Sequence, residues 1–240
     1  MEYYIIESVE RIGNGGFGLV EKVKVFNLSK TNFTIYAKKT ILSDASDEDI
    51  LRFKREVKHQ AACSHDNIVP IILHDLKTQN PWFVMPLAEN NLYKDIQENC
   101  LNDMQKIEIY TMIIDAIIYI HNKDLLHRDI KPQNILKYGN LYKLADFGLV
   151  KSLHPSDDSV NLTMIGTVMG SEDYMAPEIR VGGDYSKQSD IYAMGILLRD
   201  LSLDERFGFI IDKATSYRKS SRYKSITELK DDFLLAVSKR

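Results

Sequence analysis

The hydrophobic pattern of this chain changes character once, and that change limits the possible folds more than any other single feature. Residues 4–6, 19–26 and 33–39 are β-branched and aromatic runs separated by Gly-rich or Asn/Ser turns, the pattern of three strands. Ser46 with Asp49 three positions on resembles a capping box. Asp47, Glu48 and Asp49 place negative charge at the positive end of a helix expected to reach about Cys63. Two more strand-like runs, 68–74 and 82–86, lead to the polar stretch Glu89-Asn90-Asn91. Beyond it the apolar spacing turns helical, as in residues 105–122. A strand-rich first part and a helix-rich second part predict an α+β chain of two lobes with a cleft between them.

Composition narrows the class. Of 240 residues, 44% are hydrophobic and 27% charged, as in ordinary globular proteins, which excludes a disordered tail, a collagen-like fibre and a disulfide mini-protein. The net charge of −3 and pI near 6.1 give no basic balance, so nucleic acid is not the expected partner. Cys63 and Cys100 have no metal-ligand spacing and form no disulfide framework, which fits a reducing cytoplasm. The start, Met1-Glu2-Tyr3-Tyr4, lacks the cationic and apolar regions of a signal peptide. No apolar run approaches the ~18–20 residues of a membrane span. A cytoplasmic location is the expectation.

Gly13-Asn14-Gly15-Gly16-Phe17-Gly18 fits G-x-G-x-x-G, which alone is equally a glycine-rich hairpin turn. A dinucleotide-binding fold needs a helix after these glycines. Residues 19–25 alternate as a strand instead, so the loop joins two strands and its backbone N–H groups can cover phosphates. Further on come Ala37-Lys38-Lys39, then Glu56, then His65-x-Asn67-Ile68-Val69. The run His127-Arg128-Asp129-Ile130-Lys131-Pro132-Gln133-Asn134 follows, and twelve residues beyond it stands Asp146-Phe147-Gly148. Ala176-Pro177-Glu178, the run from Ser189-Asp190 to Gly195, and Arg222 complete the series.

From Ile12 to Arg222 these motifs, in this order, resemble the eukaryotic-type (Hanks-type) serine/threonine protein kinase catalytic domain. The resemblance implies a bilobal fold. Its N-lobe (about 1–86) is an antiparallel sheet plus one helix, its hinge lies at about 86–91, and its C-lobe (about 92–240) is mainly helical. It implies ATP with Mg²⁺, or Mn²⁺ in its place. Lys39 would hold the α- and β-phosphates and pair with Glu56, whose alternative is a surface bridge to Arg52. Asp129 would accept the proton of a Ser/Thr hydroxyl, and Lys131 would add positive charge near the γ-phosphate. Asn134 and Asp146 would hold the metal. The adenine walls would be Ile12, Val20, Ala37 and Leu136, with Met85 as gatekeeper, the carbonyl of Pro86 as acceptor and the N–H of Ala88 as donor. Asp190 would hold the catalytic-loop backbone, and Arg222 would pair with Glu178.

The resemblance also implies switching. Arg128 precedes the catalytic aspartate, as in kinases whose activation segment is ordered by a phosphate. The segment from Asp146 to Glu178 has 33 residues and offers Thr163, then Thr167 and Ser159, as phosphate acceptors, with Ser171 structural. Autophosphorylation, with self-association to permit it in trans, is the expectation. Two departures stand out. Gln60, four residues after Glu56, replaces the family's usual apolar residue. Only 31 residues separate Asp190 from Arg222, which leaves no room for the helix (αG) that the family carries there. An inactive kinase-fold scaffold is the alternative, followed by a small-molecule kinase. The substrates would be proteins.

Overall fold

The computed structural model describes residues 4–15, 18–153 and 172–239. The chain forms two compact units, Met1–Ser64 with Val69–Glu89, and His65–Ile68 with Asn90–Arg240.

The first unit is a five-stranded antiparallel sheet with one helix. Its strands are β1 (Ile5–Gly15), β2 (Gly18–Phe26), β3 (Phe33–Ile41), β4 (Leu73–Asp75) and β5 (Trp82–Pro86), in the order β1-β2-β3-β5-β4. Alternation on β2 buries Val23 and Val25 against Val84. Residues of β3 and β5, Ile41 and Phe83, pack against Phe53 and Val57 of helix α1 (Asp47–Ala61), with the Phe53 and Phe83 rings 5.6 Å apart. The expected capping box is present. Asp49 N–H donates to Ser46 Oγ at 3.2 Å and Ser46 N–H to Asp49 Oδ2 at 3.2 Å.

Two strands differ from expectation. β1 runs on to Gly15, because register shifts between Ser8 and Glu10 and between Arg11 and Gly13 break the alternation that would reveal a strand. β4 is only three residues long. Pro70 has no N–H for a ladder, and Ile68 bridges Leu144 in the second unit.

The second unit is built on helices α3 (Asp103–Asn122), α5 (Lys187–Asp200) and α7 (Ile226–Ser238). The hydroxyl of Tyr110 donates to the Met194 carbonyl at 3.0 Å, and its ring stands 4.7 Å from that of Phe233. α6 (Gly208–Ala214) lies so close to α5 that a Cβ on Gly195 would stand 2.7 Å from the Cβ of Ala214. Residues 201–207, with one 3₁₀ turn at Glu205–Phe207, are all that joins α5 to α6. The helical part of residues 203–217 is a 3₁₀ turn followed by seven α-helical residues.

A small sheet orders β6 (Asn90–Asn91), β8 (Ile135–Tyr138) and β9 (Leu141–Leu144) as β6-β8-β9, while β7 (Leu125–Leu126) pairs with β10 (Lys151–Ser152). β8 and β9 are joined by two residues, the first of which, Gly139, has φ 60°, as a tight hairpin requires. A short helix α2 (Leu92–Gln97), capped by Asn91, was not expected. Its buried Asp95 accepts from Asn90 Nδ2 at 3.0 Å and from the Tyr142 hydroxyl, and pairs with Lys137 at 3.3 Å. Burial pushes the Asp95 carboxyl up, but these partners outweigh it and hold it below the usual range.

α4 (Pro177–Arg180) is anchored by an ion pair. Arg222 donates to both carboxylate oxygens of Glu178, at 2.8 and 2.7 Å, and to the carbonyls of Ser216 and Gln188 at 2.8 and 3.1 Å. Burial pushes the Glu178 carboxyl up, yet the arginine's hydrogen bonds and charge prevail and lower it. Arg222→Met should destabilise the fold by roughly 3 kcal/mol, the low end for a broken buried pair, because Glu178 keeps some solvent. A depressed folded-state pKa contributes stability above the unfolded carboxylate value, and that contribution is lost as pH falls through the folded value. Urea titrations should therefore show the difference between wild type and variant at neutral pH shrinking under acid conditions. A difference that does not change with pH would refute this reading of the pair.

Candidate active site

The chemistry-bearing residues fall into two groups, one in each unit. In the first unit, Val20 of β2 stands opposite Lys39 of β3, and Ala37 opposite Met85 of β5. Lys39 is held over aromatic side chains, its Nζ 6.0 Å from the Phe53 ring centroid and 5.8 Å from that of Phe83. Its Nζ meets Glu56 Oε1 at 2.6 Å, with the side chains only 12% and 5% exposed. The surface alternative for Glu56 gives way here, while Arg52 pairs with Glu48 at 3.5 Å and Asp49 at 4.0 Å. Lys38, the neighbouring lysine, lies instead over the Trp82 ring at 5.1 Å.

The glycine motif is the β1–β2 hairpin, with Gly13 opposite Val20, Asn14 opposite Leu19 and Gly15 opposite Gly18. Gly16 and Phe17 lie outside the described residues. A Cβ on Gly18 would stand 3.0 Å from the Thr40 carbonyl oxygen and 3.3 Å from Lys39 Cγ, so a side chain there would press on the lysine. Among the expected adenine walls of this unit, Ala37 is buried, Val20 and Met85 are half-buried and Ile12 is exposed. Pro86 ends β5 opposite Tyr36, and Ala88 follows it half-buried.

In the second unit the run from His127 to Asn134 is organised by one carboxylate. Asp190, 1% exposed at the start of α5, accepts from the backbone N–H groups of His127 and Arg128, each at 2.9 Å. It also bonds His121 Nε2 at 2.8 Å. Burial pushes the Asp190 carboxyl up, but the His121 bond and the Arg128 N–H hold it below the usual range. His127 is fully buried, which holds its imidazole below its ordinary pKa, and its Nε2 lies 3.2 Å from the Ala145 carbonyl. A carbonyl can only accept, so the neutral ring carries its proton on Nε2. The Phe147 ring meets it edge-on at 5.2 Å. The Arg128 guanidinium lies 4.0 Å over the Tyr185 ring.

Around Asp129 the groups converge. Lys131 Nζ lies 2.9 Å from Asp129 Oδ2, and Asn134 Nδ2 donates to the same oxygen at 2.8 Å and to the Asp129 carbonyl at 2.9 Å. The β8–β9 hairpin explains the twelve-residue spacing to Asp146. It leaves from Asn134 and returns to Ala145, whose N–H donates to the Asn134 carbonyl at 2.9 Å, so Asn134 and Asp146 share one end of it. Asp146 adopts φ 62°, and its Oδ1 accepts the Gly148 N–H at 3.3 Å. Leu136 lies half-buried on β8, opposite Lys143 and Asn91. Asn67 explains the motif after α1. Its carbonyl accepts the Leu144 N–H at 2.8 Å, and its amide donates to the Tyr142 carbonyl at 3.2 Å.

The donor set suits a hard divalent cation. Asn134 spends its N–H bonds on Asp129, which leaves its amide oxygen to be offered alongside the Asp146 carboxylate. Ser159, Thr163, Thr167 and Ser171 lie outside the described residues. Sequence reasoning missed His121 and the Asp95 cluster. A histidine in the last turn of a strongly apolar helix was the available signal for the first.

The family profile for the protein kinase domain matches residues 6–236. The chain is 30% identical to serine/threonine-protein kinase pkn3 of Myxococcus xanthus over 82% of its length, covering 37% of that protein. It is 36% identical to serine/threonine-protein kinase PrkC of Bacillus subtilis over 71% of its length, covering 26% of that protein. An Aurora kinase of Candida glabrata is 32% identical over 81% of this chain, which covers 53% of it. The chain thus spans about half, or less, of the length of these relatives. The match across nearly all of its residues places the chain in the protein kinase domain family.

Proposed function

We propose that this protein is a serine/threonine protein kinase that transfers the γ-phosphate of ATP to hydroxyl groups of proteins. The observation that carries this reading is the Asp129–Lys131–Asn134 cluster, with Asp146 delivered beside Asn134 by the hairpin. In this reading Asp129 orients the attacking hydroxyl and takes its proton. Lys131, already 2.9 Å from that carboxylate, offers its charge to the transferring phosphoryl group. Asn134 and Asp146 would hold Mg²⁺, or Mn²⁺ in its place, and the ion would supply positive charge to offset that of the phosphates. Lys39, fixed by Glu56, holds the α- and β-phosphates under the glycine hairpin. Ile12, Val20, Ala37, Met85 and Leu136 line the adenine, while Pro86 and Ala88 supply its backbone hydrogen bonds. The two units act together as one kinase domain. Among the described residues neither Cys63 nor Cys100 takes part in a disulfide, which suits a cytoplasmic setting.

The scaffold alternative is disfavoured because Lys39, Glu56, Asp129, Asn134 and Asp146 are all occupied by the residue types that transfer requires. A small-molecule kinase is disfavoured by the Asp146-Phe147-Gly148 and Ala176-Pro177-Glu178 motifs. Activation proceeds by autophosphorylation, Thr163 first, through transient self-association, with Arg128 receiving the phosphate.

Asp129→Asn should lower the rate of transfer to a mixed protein substrate by roughly 10²–10⁴-fold, the range for a positioned proton acceptor, with ATP affinity little changed. ATP binding without transfer by the wild type would favour the scaffold. Incubated alone with ATP, the wild type should gain activation-segment phosphate and Asp129→Asn should not. Phosphate appearing on the isolated variant would contradict autophosphorylation.

A further inference from the structure

Gln60 stands one helical turn beyond Glu56 on α1, with its side chain 1% exposed. A polar amide at such a site costs free energy that an apolar side chain of similar size would not. Its Nε2 donates to the Val69 carbonyl at 2.8 Å, while among the described residues Oε1 has no partner. Only one of the amide's four hydrogen-bonding positions is used in the described contacts, so stability alone is a poor reason for its presence.

Its place in the first unit supplies a better one. Lys39 of β3 lies opposite Phe83 of β5. The carbonyl of the next β5 residue, Val84, accepts the Ile72 N–H at 2.8 Å. Three residues upstream of Ile72, Val69 gives its carbonyl to Gln60. One turn back along α1, Glu56 returns to Lys39 at 2.6 Å. These links form a closed circuit from sheet to helix and back. The apolar contacts of Phe53 and Val57 with Ile41 and Phe83 hold α1 against the sheet, but they are non-directional and tolerate rotation about the helix axis. Two polar ties one turn apart, at Glu56 and Gln60, fix that rotation.

We propose that Gln60 is a positioning residue for phosphoryl transfer, whose bond to the Val69 carbonyl sets the roll of α1 and thereby presents Glu56 to Lys39. The proposal rests on reading Lys39 and Glu56 as the pair that handles the ATP phosphates.

Gln60→Met and Gln60→Leu remove the donor and keep an apolar side chain of similar size. Their melting temperatures should equal or exceed that of the wild type. Their kcat/KM for ATP should fall about tenfold, less than the roughly hundredfold that a 1 Å misplacement can cost, while KM for the protein substrate stays unchanged. In a Glu56→Gln background the same substitutions should cause no further loss, because Gln60 acts through Glu56. Full wild-type transfer by both Gln60 variants would overturn the proposal. So would failure of both to fold, melting that drops in step with activity, or an undiminished effect in the Glu56→Gln background. Glu56→Gln alone separates the two claims: if it keeps full activity, the reading of the Lys39–Glu56 pair fails first.

Discussion

The organisation of the second unit depends on a single buried carboxylate. Asp190 is almost fully removed from water yet held ionised, because three donors from two other elements point at it. A buried charge of this kind cannot be released cheaply. Removing one donor would leave this buried charge short of a hydrogen bond, which costs more than it would for an exposed carboxylate. Two of the donors are the backbone N–H groups of His127 and Arg128, so the carboxylate fixes main chain rather than side chain. Arg128 has φ 70°, a conformation that a non-glycine residue adopts only when its surroundings impose it. Asp129 follows immediately, and its direction is inherited from that constraint.

The rest of the cluster is aligned from the other side by the β8–β9 hairpin. A tight turn at Gly139 fixes the register, and the register brings Asn134 and Asp146 to one end. Asn134 then reaches Asp129, which closes the arrangement between loop and hairpin. The Asp95 cluster steadies the outer part of the same sheet through Tyr142 of β9 and Lys137 of β8. In the first unit the comparable role belongs to α1, whose Glu56 is worth little unless the helix holds one orientation against β3 and β5. Each unit therefore invests buried polar contacts in aiming a few side chains, at some expense of packing.

Much of this was legible in the residues, for a physical reason. In the proposed reading, groups meant for phosphate, metal and proton must be particular side chains at fixed separations, and such strings leave a trace that packing residues do not. Lys39, Glu56, Asp129, Lys131, Asn134, Asp146, Asp190, Glu178 and Arg222 were all named from the chain, and the Lys39–Glu56 and Glu178–Arg222 pairs appear with direct contacts. What stayed hidden depends on backbone. The acceptor of the Gln60 Nε2 is the Val69 carbonyl, and every residue has a carbonyl, so no side-chain pattern could point to it. β1 was underestimated because its irregular register disrupts alternation, and β4 overestimated because an apolar run containing Pro70 looks like a strand without being able to pair as one. α2 was missed since six residues are too few to display a helical period.

In the proposed reading the chain performs chemistry on protein hydroxyl groups, rather than only adopting a fold that could. The most direct measurement is phosphoamino-acid analysis of proteins labelled by the wild-type chain with γ-labelled ATP, with Mg²⁺ and with the divalent cation removed. Label on phosphoserine and phosphothreonine that requires the cation is the predicted result. Tight ATP binding with no labelled hydroxyl in any protein, or label formed equally well without the cation, would contradict it.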